Sequence, residues 1–196
     1  VDGDEGVLLY RGYPIEQLIL NCDFLEVAHL LLHGELPNAA QYEAFAGFIK
    51  QQGMVHDQLN RFFTGFRRDA HPMAILVGVV GGLSAFYHQA MDWSVPEHRT
   101  VSAHNLIAKL PAIVAMAHKY GKGEPFMAPR TDLTYAGNFM HMMFATPCEP
   151  YEPDPLLVKA LNRILIVHAD HEQGATTSTV RLAGSSGANP LACVSS

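Results

Sequence analysis

One pattern dominates this sequence. Runs of eight to twenty-five residues carry apolar side chains at helical spacing, most of them opened by a capping residue or proline and several closed by glycine or proline. Pro14 fits a first helical turn with Ile15, Leu18 and Ile19 on one face. Asp23 fits the N-cap of a helix from Phe24 to His33 that Gly34 ends. Asn38 plays the same part for Ala39 to Gln52, which Gly53 ends. His56 to Phe63, Pro72 to Gln89, Pro96 to Tyr120 with a kink at Pro111, and Asp132 to Thr146 follow. Asp154 then caps a strong helix predicted from Pro155 to about His171. Few segments alternate with period two, apart from a short extended stretch between Gly6 and Tyr13. The fold class this implies is all-α.

Composition excludes several alternatives. Of the 196 residues, 48% are hydrophobic and 16% charged, too apolar for a disordered chain. A net charge of −6 gives no general attraction to nucleic acid or anionic lipid. Cys22, Cys148 and Cys193 are widely spaced, which fits free thiols in a reducing compartment better than a disulfide framework or a zinc ribbon. The acidic opening has no signal-peptide pattern, and the longest apolar stretch, Pro72 to Tyr87, is glycine-rich. The expectation is a cytoplasmic protein with no membrane span.

Three segments carry candidate chemistry. On the last strong helix, Leu157, Leu161, Ile164 and Leu165 form an apolar stripe that His168 and then His171 continue. An imidazole so placed can bond a substrate carbonyl or carboxylate, or serve as a core histidine satisfied by backbone. The pair lacks the His-Glu-x-x-His arrangement and a third ligand, so no metal site is expected. The hydroxyl-rich run from Thr176 to Pro190 fits an anion-binding backbone or tight helix packing followed by a turn. Arg67 and Arg68, ahead of His71-Pro72, fit a phosphate site or a salt-bridged loop. The small residues Gly78, Gly81 and Gly82 fit close internal helix packing or a subunit interface. The other histidines, among them His29, His33 and His104, have no partner that sequence identifies.

Five strings, in order along the chain, resemble citrate synthase. They are Leu9-Tyr10-Arg11-Gly12-Tyr13-Pro14-Ile15-Glu16, Phe66-Arg67-Arg68-Asp69-Ala70-His71-Pro72-Met73, Asp132-Leu133-Thr134-Tyr135-Ala136-Gly137-Asn138-Phe139, His168-Ala169-Asp170-His171-Glu172-Gln173 and Ser185-Ser186-Gly187-Ala188-Asn189-Pro190. The resemblance is to the bacterial, hexamer-forming type. It implies that residues 1–196 are part of the large helical domain, with no complete second domain. It also implies a reaction joining acetyl-CoA to oxaloacetate, with no metal or cofactor, in a homodimer or hexamer. The family's catalytic histidines and aspartate are then expected beyond Ser196, so the 196 residues alone are expected not to turn over.

Within the chain the resemblance assigns oxaloacetate binding to His171, with His168 as a further candidate. Gly174 stands where the family usually has Asn. Met54, Tyr87, Lys109 and Cys148 match positions of an inhibitory NADH site found in some hexameric members. The basic cluster expected before Met54 is replaced by Gln51-Gln52-Gly53, and an expected arginine by Asn105. Fewer cations mean weaker anion binding, so weak or no NADH inhibition is expected. A relative acting on propanoyl-CoA, 2-methylcitrate synthase, is the alternative enzyme, and a helical interaction scaffold the alternative outside enzymes.

Overall fold

A computed structural model of the chain describes residues 6–88, 92, 94–170 and 174–195. Ten helices carry the fold among them, with one two-stranded hairpin at the start. The hairpin pairs β1 (Leu9–Tyr10) with β2 (Tyr13–Pro14), Tyr10 opposite Tyr13. Its two turn residues, Arg11 and Gly12, both have positive φ, the backbone twist that a tight hairpin favours.

The next helices start and stop where their caps dictate. α1 (Ile15–Asn21) follows the hairpin directly. α2 (Phe24–His33) opens on a capping box: Asp23 accepts from the Glu26 N–H, and Glu26 accepts from the Asp23 N–H. Gly34, at φ 93°, closes it in the left-handed conformation. α3 (Ala39–Gln52) repeats the box with Asn38 and Gln41. Each such cap contributes about 1 kcal/mol.

α4 (Leu59–Phe63) and α5 (Pro72–Gly82) pack together, and a 3-10 turn over Leu83–Ala85 ends α5 short of the expected Gln89. Gln89 itself lies outside the described residues. The glycines of α5 serve internal packing. A Cβ at Gly78 would stand 2.8 Å from the Phe66 ring, and one at Gly82 3.1 Å from the Phe62 ring. Arg67 is exposed and paired with Asp69 at 2.7 Å, the salt-bridged loop rather than a phosphate site.

α6 (Pro96–Lys122) is the central helix, packed by α3, α5, α7 and α10. Pro111 lies within it, and the helix runs on through that position. α6 is long and apolar enough to cross a membrane by length and composition, yet Leu106, Ile113, Met116 and Ala117 are buried in the main core. Lys119 is fully buried near its end. Its Nζ donates to the Ala145 carbonyl at 2.7 Å and to Glu124 at 3.0 Å, tying α6 to the end of α7 (Tyr135–Phe144).

α8 (Pro155–Val167) opens on Asp154, whose carboxylate accepts from the Leu156 and Leu157 N–H groups. α9 (Ala175–Ser185) and α10 (Pro190–Ser195) follow. Hydroxyls of Ser178, Thr179, Ser185 and Ser186 donate to carbonyls one turn back, which favours helix packing over an anion cradle. Gly174 is the N-cap of α9 with no side chain to accept a hydrogen bond, and open space surrounds its Cβ direction. Its φ of −73° is open to any residue, so the backbone does not require glycine there.

Candidate functional site

α8 departs from the sequence expectation in two ways. It ends at Val167, one turn before His171, because His168 closes it as C-cap: its N–H donates to Ile164 O at 3.0 Å. The stripe proposed for its buried face is also not buried: Leu157 is 55% and Ile164 53% exposed, and Leu161 and Leu165 are half-buried. Ile166, off that stripe, is the helix's buried residue. An apolar stripe marks a face that wants cover, and in this chain a different face meets α1, α2 and α7.

His168 is exposed, so it is not the wall of a buried pocket among the described residues. Its Nδ1 lies 2.9 Å from Ile164 O. A carbonyl only accepts, so Nδ1 carries the proton, and Nε2 is the ring's acceptor when neutral. His171, Glu172 and Gln173 lie outside the described residues. The histidine segment is therefore defined structurally up to Asp170.

What holds that segment comes from the other end of the chain. Tyr10 of β1 is 1% exposed, in a small core with Ile15, Leu18, Val27, Leu30 and Ile166. Its hydroxyl is 3.1 Å from Ile166 O, 3.0 Å from Val167 O and 3.0 Å from Asp170 O, and it accepts the Asp170 N–H at 3.1 Å. Burial raises the phenol's pKa, opposed by the Asp170 backbone bond, so it stays protonated and keeps its donor. Asn162 adds a second tie between α8 and the start of α2, accepting from the Phe24 N–H at 2.9 Å. Sequence reading singled out neither residue. The available signal was Tyr10 at a strand position beside a turn, since a buried tyrosine needs a partner for its hydroxyl.

The structure brings together three of the four residues matched to the NADH positions. Lys109 is 3% exposed, and its Nζ donates to Gln52 O at 2.6 Å and Met54 O at 3.0 Å. The ammonium sits 4.4 Å from the centroid of the Tyr87 ring. The Tyr87 hydroxyl accepts from the His56 N–H at 2.7 Å. Burial lowers the Lys109 pKa to about 8 and raises that of Tyr87. Lys109, Tyr87, Gln52 and Asn105 line a cavity of about 210 Å³ between α6 and the residues that follow α5, from Leu83 to His88. Cys148 is not in its lining and is exposed in the turn after α7.

Three histidines that sequence left unpartnered also meet. His33 lies 4.4 Å from His29 and 5.7 Å from His104, ring to ring, against Phe45. Desolvation, with His29 as neighbour, lowers the pKa of His33, and desolvation with both neighbours lowers that of His104. Helical spacing brings His29 and His33 together, but only the packing of α2 on α3 and α6 adds His104. Among the described residues no group of three or more His, Cys, Asp or Glu is placed to hold a metal ion.

Comparison with known families decides the affiliation. The model of the citrate synthase C-terminal domain matches residues 1–196. The chain belongs to the citrate synthase family. Citrate synthase from Pyrobaculum aerophilum is 31% identical over 97% of this chain and 48% of its own, with a TM-score of 0.88. Two more distant structures share the fold. One is the ternary complex of carboxymethyl coenzyme A and oxaloacetate with citrate synthase from Thermoplasma acidophilum, at 22% identity and TM-score 0.88, covering 97% of this chain and 49% of that one. The other is citrate synthase from Thermotoga maritima, at 21% identity and TM-score 0.80, covering 97% and 48%. The chain thus spans about half the length of these solved citrate synthases. The all-helical expectation and the family resemblance both hold.

Proposed function

We propose that the intact protein is a citrate synthase, condensing acetyl-CoA with oxaloacetate and water to give citrate and CoA. The observation that carries this reading is the family match over all 196 residues. The Thermoplasma relative, bound to oxaloacetate and a coenzyme A derivative, supports the substrate class. In the reaction a carboxylate removes a methyl proton from acetyl-CoA, and the resulting enolate carbon attacks the oxaloacetate ketone. Water then cleaves the C–S bond, releasing the CoA thiol. The part of this chain is to bind oxaloacetate through His171, whose imidazole donates to a substrate oxygen. Free cysteines at positions 22, 148 and 193 support a reducing, cytoplasmic setting. The half-exposed apolar residues Met73 and Val77 on α5 support assembly with further copies.

CoA release by the intact native protein, with oxaloacetate and either acetyl-CoA or propanoyl-CoA, tests the reading. Faster release with acetyl-CoA is expected. Faster release with propanoyl-CoA would reassign the protein to 2-methylcitrate synthesis, and no release with either would leave a helical scaffold.

Regulation by NADH is proposed to be weak or absent. Lys109, the cation matched to the inhibitory site, already satisfies two carbonyls and a ring face. To bind a phosphate it must give up those partners, and the neighbouring position carries Asn105 rather than arginine. Citrate formation by the intact protein is expected to be unchanged at micromolar NADH, and strong inhibition there would refute the proposal.

A further inference from the structure

α8 has more holding its end than a helix terminus needs. The His168 N–H closes the last turn on Ile164 O at 3.0 Å, and the Ala169 N–H reaches Ile166 O at 3.2 Å. The Tyr10 hydroxyl reaches past that closure. It lies near two of the last carbonyls of α8, that of Ile166, which the Ala169 N–H already reaches, and that of Val167. It also lies within hydrogen-bond distance of both the N–H and the C=O of Asp170, three residues beyond the helix. One O–H donates to one carbonyl at a time, so the three carbonyls share it while the Asp170 N–H occupies a lone pair. Bonds at residue 170 add nothing to the ladder of α8. They fix the direction in which the chain leaves it.

The clamp is itself rigid. Tyr10 sits on a hairpin whose turn geometry is set by Arg11 and Gly12, and its ring is buried against Leu18, Leu30 and Ile166. Its hydroxyl therefore has a fixed position relative to α1, α2 and α8. The next residue after Asp170 is His171.

We propose that Tyr10 is a positioning residue for oxaloacetate binding: its hydroxyl fixes the backbone from Ile166 to Asp170 and so the point from which the chain continues into His171. This rests on the reading of His171 as an oxaloacetate ligand. A binding group displaced by about 1 Å loses up to a hundredfold in effectiveness, so a backbone anchor one residue away acts on affinity for that substrate.

The test is steady-state kinetics of the intact native protein carrying Tyr10→Phe, which keeps the packed ring and removes the hydroxyl. The KM for oxaloacetate is expected to rise about tenfold, the loss of one or two shared hydrogen bonds, while the KM for acetyl-CoA stays within about twofold. Phe45→Leu, in the separate core of α2, α3 and α6, serves as a destabilised control and is expected to leave the oxaloacetate KM unchanged. An unchanged oxaloacetate KM in Tyr10→Phe overturns the proposal, as does an equal rise in both variants, which marks general loss of stability. Titration calorimetry of oxaloacetate on His171→Ala separates the two levels. Weakened binding there with no effect of Tyr10→Phe removes only the positioning role. Unaltered binding by His171→Ala removes the His171 reading, and the positioning role with it.

Discussion

Replacing His171 by alanine in the intact protein is expected to lower kcat/KM for oxaloacetate by about a hundredfold or more. On the proposed reading, the His171 imidazole would give oxaloacetate a directed hydrogen bond that water in a truncated site does not reproduce with the same orientation. Removing one such preorganised donor typically costs a factor of about a hundred to a thousand. The measurement is CoA release against oxaloacetate concentration at saturating acetyl-CoA. His168→Ala serves as comparison, since His168 is exposed and spends Nδ1 on its own helix. Its kcat/KM is expected to stay within about threefold of the parent. A large loss at position 168 with little at 171 would reverse the assignment of the two histidines.

The largest expected effect on stability comes from Phe63→Ala. Phe63 is fully buried at the end of α4, in the main core with Ile75, Val79, Leu83, Ile113 and Met116. Its ring centroid lies 5.5 Å from that of Phe126 and 6.1 Å from that of Tyr120, so it joins the turn after α6 to α4. Truncation removes the ring's transfer free energy and leaves a cavity bounded by helices that cannot close on it. The expected cost is about 4 kcal/mol, read from the urea midpoint of the intact protein. Phe62→Ala, one residue away, is the control: that ring is 40% exposed, and a markedly smaller loss is expected. Similar losses at both positions would mean that the core closes over the gap left by Phe63.

The helical pattern was legible because caps act locally. The Asp23–Glu26 and Asn38–Gln41 boxes satisfy backbone groups within one turn, so the starts of α2 and α3 stand where the sequence puts them. The affiliation was legible because the five strings stand in order along the whole chain, and the family model covers all of it. Boundaries that depend on partners were not. α8 stops at Val167 because His168 caps it, and its apolar stripe misled because periodicity names a face but not what covers it. The same limit hid the His29–His33–His104 cluster and the enclosure of Lys109, each of which joins elements far apart in sequence.

By itself, then, the sequence determined the all-α class, the family and the starts of α2, α3, α5, α6 and α8, since each of these is written in contiguous residues, whereas α4 and α7 begin three residues after the expected His56 and Asp132. Tertiary structure alone decided that a hydroxyl from the first hairpin holds the end of α8, 156 to 160 residues away. A tyrosine carries no local mark of its partner. Its hydroxyl bonds to whichever backbone the packing of β1, α1, α2 and α8 places above its ring, and that packing is a property of the assembled core.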